Sequence, residues 1–175
     1  GVDNKRYKMP TLNNKDIFRY SDIKPRILSG LNKLADPIVS TLSPSGNNIL
    51  IQDGLGRPFL TNDGHTIAKN IQLEDPVESS IVDLVKQAAF ETNRIAGDGT
   101  TTSILLAKTL VLEGFKAIER GSSPIELKKH LDHASECLVK VLEGFKHKVD
   151  SKKQLEYIAK VASNNDKEIA KNVVE

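Results

Sequence analysis

This chain is poor in the residues on which several classes of protein depend. It has one cysteine, Cys137, no tryptophan, five phenylalanines and three tyrosines. A single cysteine forbids an internal disulfide and fits a reducing compartment, read here as the cytoplasm. So few aromatic side chains argue against a base-stacking surface for single-stranded nucleic acid. Lys and Arg number 25 against 23 Asp and Glu, so no global field draws the chain to nucleic acid or to a membrane surface. No apolar run approaches the roughly 20 residues of a membrane span. The polar stretch through Tyr20 also lacks the apolar segment of a signal peptide. Neither G-x-x-x-x-G-K-[ST] nor G-x-G-x-x-G occurs, which excludes two common phosphate-binding frames. What is present is ordinary for a globular domain with a core: 38% apolar and 27% charged residues over 175 positions.

Residues 1–22 read as an extended arm; the first 20 carry five basic and two acidic side chains. A first helix is expected from Pro25 to Leu42, with Ile27, Leu31, Leu34, Ala35, Ile38 and Leu42 on one face and a bend or break at Pro37. Ser43-Pro44-Ser45-Gly46 stops it. Asn48–Gln52 and Arg57–Thr61 read as two strands joined by Asp53-Gly54-Leu55-Gly56. A short helical stretch follows near Thr66–Asn70. Asp75, Pro76 and Glu78 then give a helix-start signal. The helix they open carries Ile81, Leu84, Val85 and Ala88 on one face and runs to Gly97. Another is expected from Thr100 to Arg120, with Ile104, Ala107, Val111, Phe115 and Ile118 as its stripe. Ser123, Pro124 and Glu126 repeat the start signal. They open a helix whose seam is Leu127, Leu131, Ala134, Leu138, Val141 and Phe145. A shorter helix runs through Ala162, Ser163–Asp166 turns, and a last helix begins near Lys167. The chain ends without glycine, proline or a polar stop, so a longer parent protein is expected.

The run Gly97-Asp98-Gly99-Thr100-Thr101-Thr102 is the most informative. Glycine permits φ > 0 and close backbone approach. A helix start offers unpaired N–H groups and the positive end of the dipole. Asp98 repels a phosphate by itself but can hold a divalent cation that bridges one. Three threonines are mediocre helix formers, so stability alone does not explain them. Two further loops have matching composition: Thr41-Leu42-Ser43-Pro44-Ser45-Gly46 and Thr61-Asn62-Asp63-Gly64. Together they would supply hydroxyls, N–H groups and the carboxylates of Asp63 and Asp98, a set suited to Mg²⁺ and phosphate.

Other candidates are weaker. His130 and His133 lie three apart, one turn after Glu126, but beside Lys128 and Lys129 they read as a solvated face. His65 follows the Asp63 turn without support for a catalytic role. His147 reads as exposed, and Cys137, beside a seam, as a small packed hydrophobe. The hexamer Val-Leu-Glu-Gly-Phe-Lys at 111–116 recurs at 141–146. Its flanks differ, so it reads as coincidence rather than as a repeat.

The ordered set Leu34-Ala35-Asp36, Thr41–Asn48, Thr61–Gly64, Ile71–Pro76 and Gly97–Thr102 resembles the chaperonins, the ring-forming, ATP-driven folding machines of the Hsp60 and thermosome type. The resemblance runs from Ile27 to Asn172. It implies a mainly α fold, a chaperonin equatorial-domain-like helical bundle with one small β-hairpin. Residues 23–162 would be the N-terminal half of the equatorial domain and 163–175 the start of the intermediate domain. ATP and Mg²⁺ are the implied cofactors, with K⁺ as a further cation. By the same resemblance, Asp98 would hold Mg²⁺ and Gly97, Gly99, Thr100, Thr101 and Thr102 would cradle phosphate. Thr41, Leu42, Ser43 and Pro44 would form the first nucleotide loop, and Asp63 would position or activate the attacking water. Implied partners are neighbouring subunits in a ring and unfolded proteins held by an apical domain outside this chain, without nucleic acid or membrane. Two departures stand out. Ser43 replaces a glycine usual in the first loop, and Ser45 replaces the usual lysine. Competing readings are a non-catalytic helical interaction module, a nucleotide-binding-deficient chaperonin fragment, and a phosphotransferase using Asp63 as base.

Overall fold

A computed structural model describes residues 19–42, 46–52, 56–163 and 166–174. Most of the expected arm, Ser43-Pro44-Ser45, Asp53–Leu55 and Asn164-Asn165 lie outside the described residues. The chain divides by packing into two units, one up to Gly121 and one from Ser122.

The first helix, α1 (Tyr20–Val39), opens five residues earlier than expected, so Tyr20, Ser21 and Asp22 are helical rather than part of an arm. It carries both Pro25 and Pro37 without dividing. Pro37 cannot donate to the preceding turn, and the helix continues only to Val39 before tightening into a 3-10 turn over Ser40–Leu42. Two hydroxyls satisfy carbonyls at this end. Ser40 Oγ donates to the Pro37 carbonyl at 2.7 Å and Thr41 Oγ1 to that of Ile38 at 2.6 Å.

The expected hairpin is present, one residue or two shorter at the strand ends. Strands β1 (Ile49–Ile51) and β2 (Phe59–Thr61) pair antiparallel, with Ile49 opposite Thr61, Leu50 opposite Leu60 and Ile51 opposite Phe59. Ile49 and Ile51 pack on the core, while Leu50 and Leu60 face outward as an exposed pair. Then come α2 (Gly64–Asn70), α3 (Pro76–Ala96) and α4 (Thr100–Glu119), close to their expected limits.

The core lies where these helices meet. Leu31, Leu34, Ala35 and Ile38 of α1, Ile67 and Ala68 of α2, Val82, Val85 and Ala89 of α3, and Ile104 of α4 form one buried cluster. Each large aliphatic side chain there contributes about 1.5–3 kcal/mol by leaving water. The α1 stripe is as expected except for Leu42, which is exposed. Helix α3 buries part of its expected face, with Val85 in the core and Ile81 packed against it. Its buried face is Glu78, Val82, Val85 and Ala89, and Leu84 and Ala88 are exposed. Helix α3 approaches α1 closely at Gly30, where a Cβ would lie 2.9 Å from the Glu78 carbonyl oxygen and 3.0 Å from Ile81 Cγ2. That contact turns Glu78 inward, where its carboxylate takes Lys33 Nζ at 2.6 Å. Val82 and Ala89 then fill a space that Leu84 does not reach.

Caps fix the joints. Asp75 accepts from the N–H groups of Val77 and Glu78 at 3.0 Å each, and the same carboxylate holds the Arg26 guanidinium of α1. One side chain thus starts α3 and ties it to α1.

The second unit holds α5 (Pro124–Glu143), α6 (Lys152–Ala162) and α7 (Lys167–Val174), with α6 packed on α7 and Ala170 buried. Helix α5 buries none of its residues, so Cys137 is exposed, against the expectation that it packs. His130, His133 and His147 are exposed as expected. The recurring hexamer occupies unlike places. Gly114 lies inside α4, whereas Gly144 ends α5, which fits coincidence.

Two outcomes follow from this packing. Ile104→Ala, at a site with no exposed surface, should lower stability by about 2–5 kcal/mol in denaturant titration. Asp75→Ala removes a cap and an ion pair and should cost about 1–3 kcal/mol. The hydrogen bond from Arg26 and those from the α3 backbone hold the Asp75 carboxyl below its ordinary range. Its contribution is therefore full above the unfolded-state pKa and fades as pH falls through the lower folded-state value. Asp75→Asn should retain capping and lose that acid-range slope.

Candidate functional site

Asp63 is built into its position by its own turn. It is the N-cap of α2 in an extended conformation. Its carboxylate accepts from the Thr66 N–H at 2.8 Å, from Thr66 Oγ1 at 2.5 Å and, more weakly, from the His65 N–H at 3.4 Å. Thr61 Oγ1 in turn accepts from the Asp63 N–H at 3.1 Å. Partial burial pushes the carboxyl pKa up, but the Thr66 and His65 hydrogen bonds outweigh it and the net displacement is downward. Asp63 is accordingly a carboxylate at neutral pH, a fixed acceptor rather than a store for protons.

The next residue sets the geometry of the whole region. Gly64 is buried, and a Cβ on it would fall 2.0 Å from Thr101 Oγ1 and 3.3 Å from Ile38 Cγ2. The start of α2, the start of α4 and the end of α1 therefore meet at one point. Thr41 and Leu42 leave α1 within four residues of Ile38. Thr41 is half-buried with its hydroxyl turned back to the Ile38 carbonyl, and Leu42 is exposed. Ser43 and Pro44 lie outside the described residues. Of the three loops singled out in the sequence, the described parts thus gather around Ile38, Gly64 and Thr101.

The Gly97–Thr102 run turns sharply between α3 and α4. Gly97 (φ 73°) ends α3 in the left-handed region, its N–H donating to the Asn93 carbonyl at 2.7 Å. Gly99 (φ 98°) opens α4 in the same region. Only glycine takes both conformations without strain. Asp98 between them is exposed and accepts one hydrogen bond, from the Gly99 N–H at 2.6 Å. Helices α2, α3, α5 and α6 are all capped by side chains, those of Asp63, Asp75, Ser123 and Ser151. Helix α4, like α1, has no side-chain cap, but its cap position is a left-handed glycine. Its first N–H groups lack helical partners. Thr100, 5% exposed, keeps a buried Oγ1 without a hydrogen-bond partner. Thr101 is half-buried against Gly64 and Thr102 is exposed.

These features fit a magnesium–phosphate ligand. The uncapped N–H groups and the orphaned Thr100 hydroxyl offer donors to phosphate oxygens. Asp98 offers a carboxylate with free lone pairs to a hard cation. Among the described residues, no three His, Cys, Asp or Glu side chains are grouped to hold a metal by themselves. A cation here would therefore take most ligands from phosphate and water, as Mg²⁺ does.

Sequence reasoning passed over three residues that the structure brings forward. Gly64 was visible in a motif, but its contact with Thr101 is tertiary. Thr66 stands three residues after Asp63, a capping spacing that could have been read. His65 packs its ring on Phe90 of α3, with centroids 4.6 Å apart, and keeps a buried, unpartnered Nδ1.

Known proteins resemble this chain in sequence and in fold. The chain is 40% identical over 155 residues to the mitochondrial chaperonin CPN60 of Euglena gracilis, covering 89% of this chain and 27% of that protein. It is 36% identical over 161 residues to the chaperonin GroEL of Mycoplasma genitalium, covering 92% and 30% respectively. It therefore spans less than a third of the length of these relatives. Among solved structures it resembles a group III chaperonin in the open state, with TM-score 0.71 and 27% identity over 87% of this chain and 30% of that one. It also resembles a chaperonin of bacteriophage EL determined in the presence of ATP-BeFx, with TM-score 0.72 and 27% identity over 88% of this chain and 27% of that one. With residues 34–175 matching the TCP-1/cpn60 chaperonin family throughout, the chain belongs to that family.

Proposed function

We propose that this chain is the ATP-binding portion of a ring-forming chaperonin, with Mg-ATP phosphates seated at the start of α4. The observation that carries this reading is the open end of that helix. It is uncapped, flanked by the exposed Asp98 carboxylate, contains a buried hydroxyl without a partner, and lies against the Asp63 turn. One structural relative was determined with an ATP analogue complex present, which supports the same ligand class.

In this reading the N–H groups of Thr100, Thr101 and Thr102 and the threonine hydroxyls bind phosphate oxygens. Gly97 and Gly99 give the turn its shape, and Asp98 binds Mg²⁺. Thr41, Leu42, Ser43 and Pro44 line the nucleotide from the first loop. Bound Mg²⁺ would neutralise phosphate charge, with K⁺ as a second candidate cation. Asp63, held ionised by Thr66 and His65, accepts a hydrogen bond from a water and orients it. Its low proton affinity suits positioning better than proton storage. On the family plan, residues 23–162 belong to the equatorial domain and 163–175 open the intermediate domain. Ring neighbours and unfolded clients are the partners of the parent protein, and a reducing compartment such as the cytoplasm suits the lone Cys137. The family's second catalytic aspartate belongs to the returning intermediate segment, outside these residues, so this chain by itself should bind nucleotide weakly and turn over little or none.

Calorimetric titration with Mg-ATP tests the reading. Binding is expected in the wild type and should be lost in Asp98→Ala with the circular dichroism spectrum unchanged. No heat from a folded wild type would favour a helical interaction module instead. Gly64→Ala should also weaken binding, roughly tenfold or more, because its Cβ displaces Thr101. A steady-state ATPase assay should show little turnover; family-like turnover in this chain alone would contradict the need for a second aspartate.

A further inference from the structure

Lys86 stands on α3 and faces the segment that joins α2 to α3. Its amine donates to the backbone carbonyl of Ile71. The other lysines that reach between elements in this unit, Lys24, Lys33 and Lys108, each end on a carboxylate, those of Glu119, Glu78 and Asp36. Lys86 is thus half-buried and anchored by a neutral oxygen. It lines a cavity of about 360 Å³ together with Lys69, Gln72, Ser79 and Asp83. The cavity lining is largely polar in kind: one cation besides Lys86, one carboxylate, an amide and a hydroxyl.

We propose that Lys86 is an acyl-acceptor site, modified at its Nζ by a small acyl phosphate that enters this cavity. Three features support the assignment. The cavity is larger than an acetyl group, so the adduct needs no repacking of the core. Lys69 and the Gln72 amide on the same wall can receive the phosphate of the donor. The Ile71 carbonyl engages one N–H of Lys86, and the Lys86 side chain lines the cavity. Burial lowers the Lys86 pKa against the opposing charge of Asp83, so the neutral amine is more available than on an exposed lysine.

The chemistry balances without redox change. The ammonium first gives a proton to solvent. The nitrogen lone pair then attacks the acyl carbon, forming the C–N bond. The bond from that carbon to the bridging phosphate oxygen breaks and inorganic phosphate leaves. A second proton passes from nitrogen to water, giving a neutral amide. That amide keeps one N–H and can still donate to Ile71, so the anchor survives while the positive charge is lost. The groups that face Lys86 are Lys69 from α2, the Ile71 carbonyl and Gln72 from the joining segment, and Ser79 and Asp83 from α3.

The 175-residue chain treated with acetyl phosphate at about pH 7.5 and mapped over time by Glu-C peptide mass spectrometry tests this. Lys86 should acetylate at least about threefold faster than exposed Lys129 and Lys140, and the ratio should fall toward one near pH 10, where more of every amine is neutral. Asp83→Asn removes the charge that favours the ammonium, so it should raise the Lys86 rate and leave Lys129 unchanged. A Lys86 rate equal to or below those of the exposed lysines in the folded chain overturns the proposal and leaves Lys86 as a strut. So does a preference for Lys86 that persists unchanged in urea, because it would then owe nothing to the cavity.

Discussion

Much of this molecule hangs on a missing side chain. At Gly64 three helix ends meet with room for a hydrogen atom and nothing larger, Thr101 Oγ1 lying 2.0 Å from where a Cβ would be. Interiors are packed too densely for such a contact to relax cheaply. The contact fixes where α2 begins relative to α4 and to the last turn of α1. Asp63 is the cap of α2 and Thr100–Thr102 are the first turn of α4, so the same contact sets the spacing between the candidate water-positioning carboxylate and the candidate phosphate cradle. A second close approach, at Gly30, does the same for α1 and α3 and turns Glu78 inward.

Helix starts differ around these contacts, and those of α1 and α4 have no side-chain cap. At α2, α3, α5 and α6 a Ser or Asp side chain occupies the orphan N–H groups, so those ends are closed. At α4 a left-handed glycine stands at the cap position and no side chain takes the donors. The difference is chemical. A closed end stabilises its helix, whereas an open one leaves donors and dipole available to an anion. The exposed carboxylate of Asp98 flanks that open end.

Legibility in the sequence followed the range of the interaction concerned. Helix starts at Pro76 and Pro124 and the hairpin strands were readable because caps, proline and alternation are local signals. The face that α3 buries was not. Two overlapping apolar stripes share Val85, and which of them is buried depends on how closely α3 approaches α1, a tertiary contact made at Gly30. Pro37 read as a bend or a break, yet α1 runs past it to Val39, where the Ser40 and Thr41 hydroxyls take the Pro37 and Ile38 carbonyls at the helix end. Cys137 read as packed because it neighbours an apolar seam, but α5 buries none of its residues here.

By itself the sequence determined the order and kind of the elements and the chemistry of the three loops, since turn glycines, caps and 3.6-residue periodicity act within a few residues. It also carried the family resemblance, whose motifs are contiguous. Tertiary structure alone decided which face of α3 is inside, that Gly64 is the point where three helix ends meet, and that the Thr100 hydroxyl is buried without a partner. These outcomes depend on how closely separate helices approach one another, and that distance is set by contacts between residues far apart in the chain.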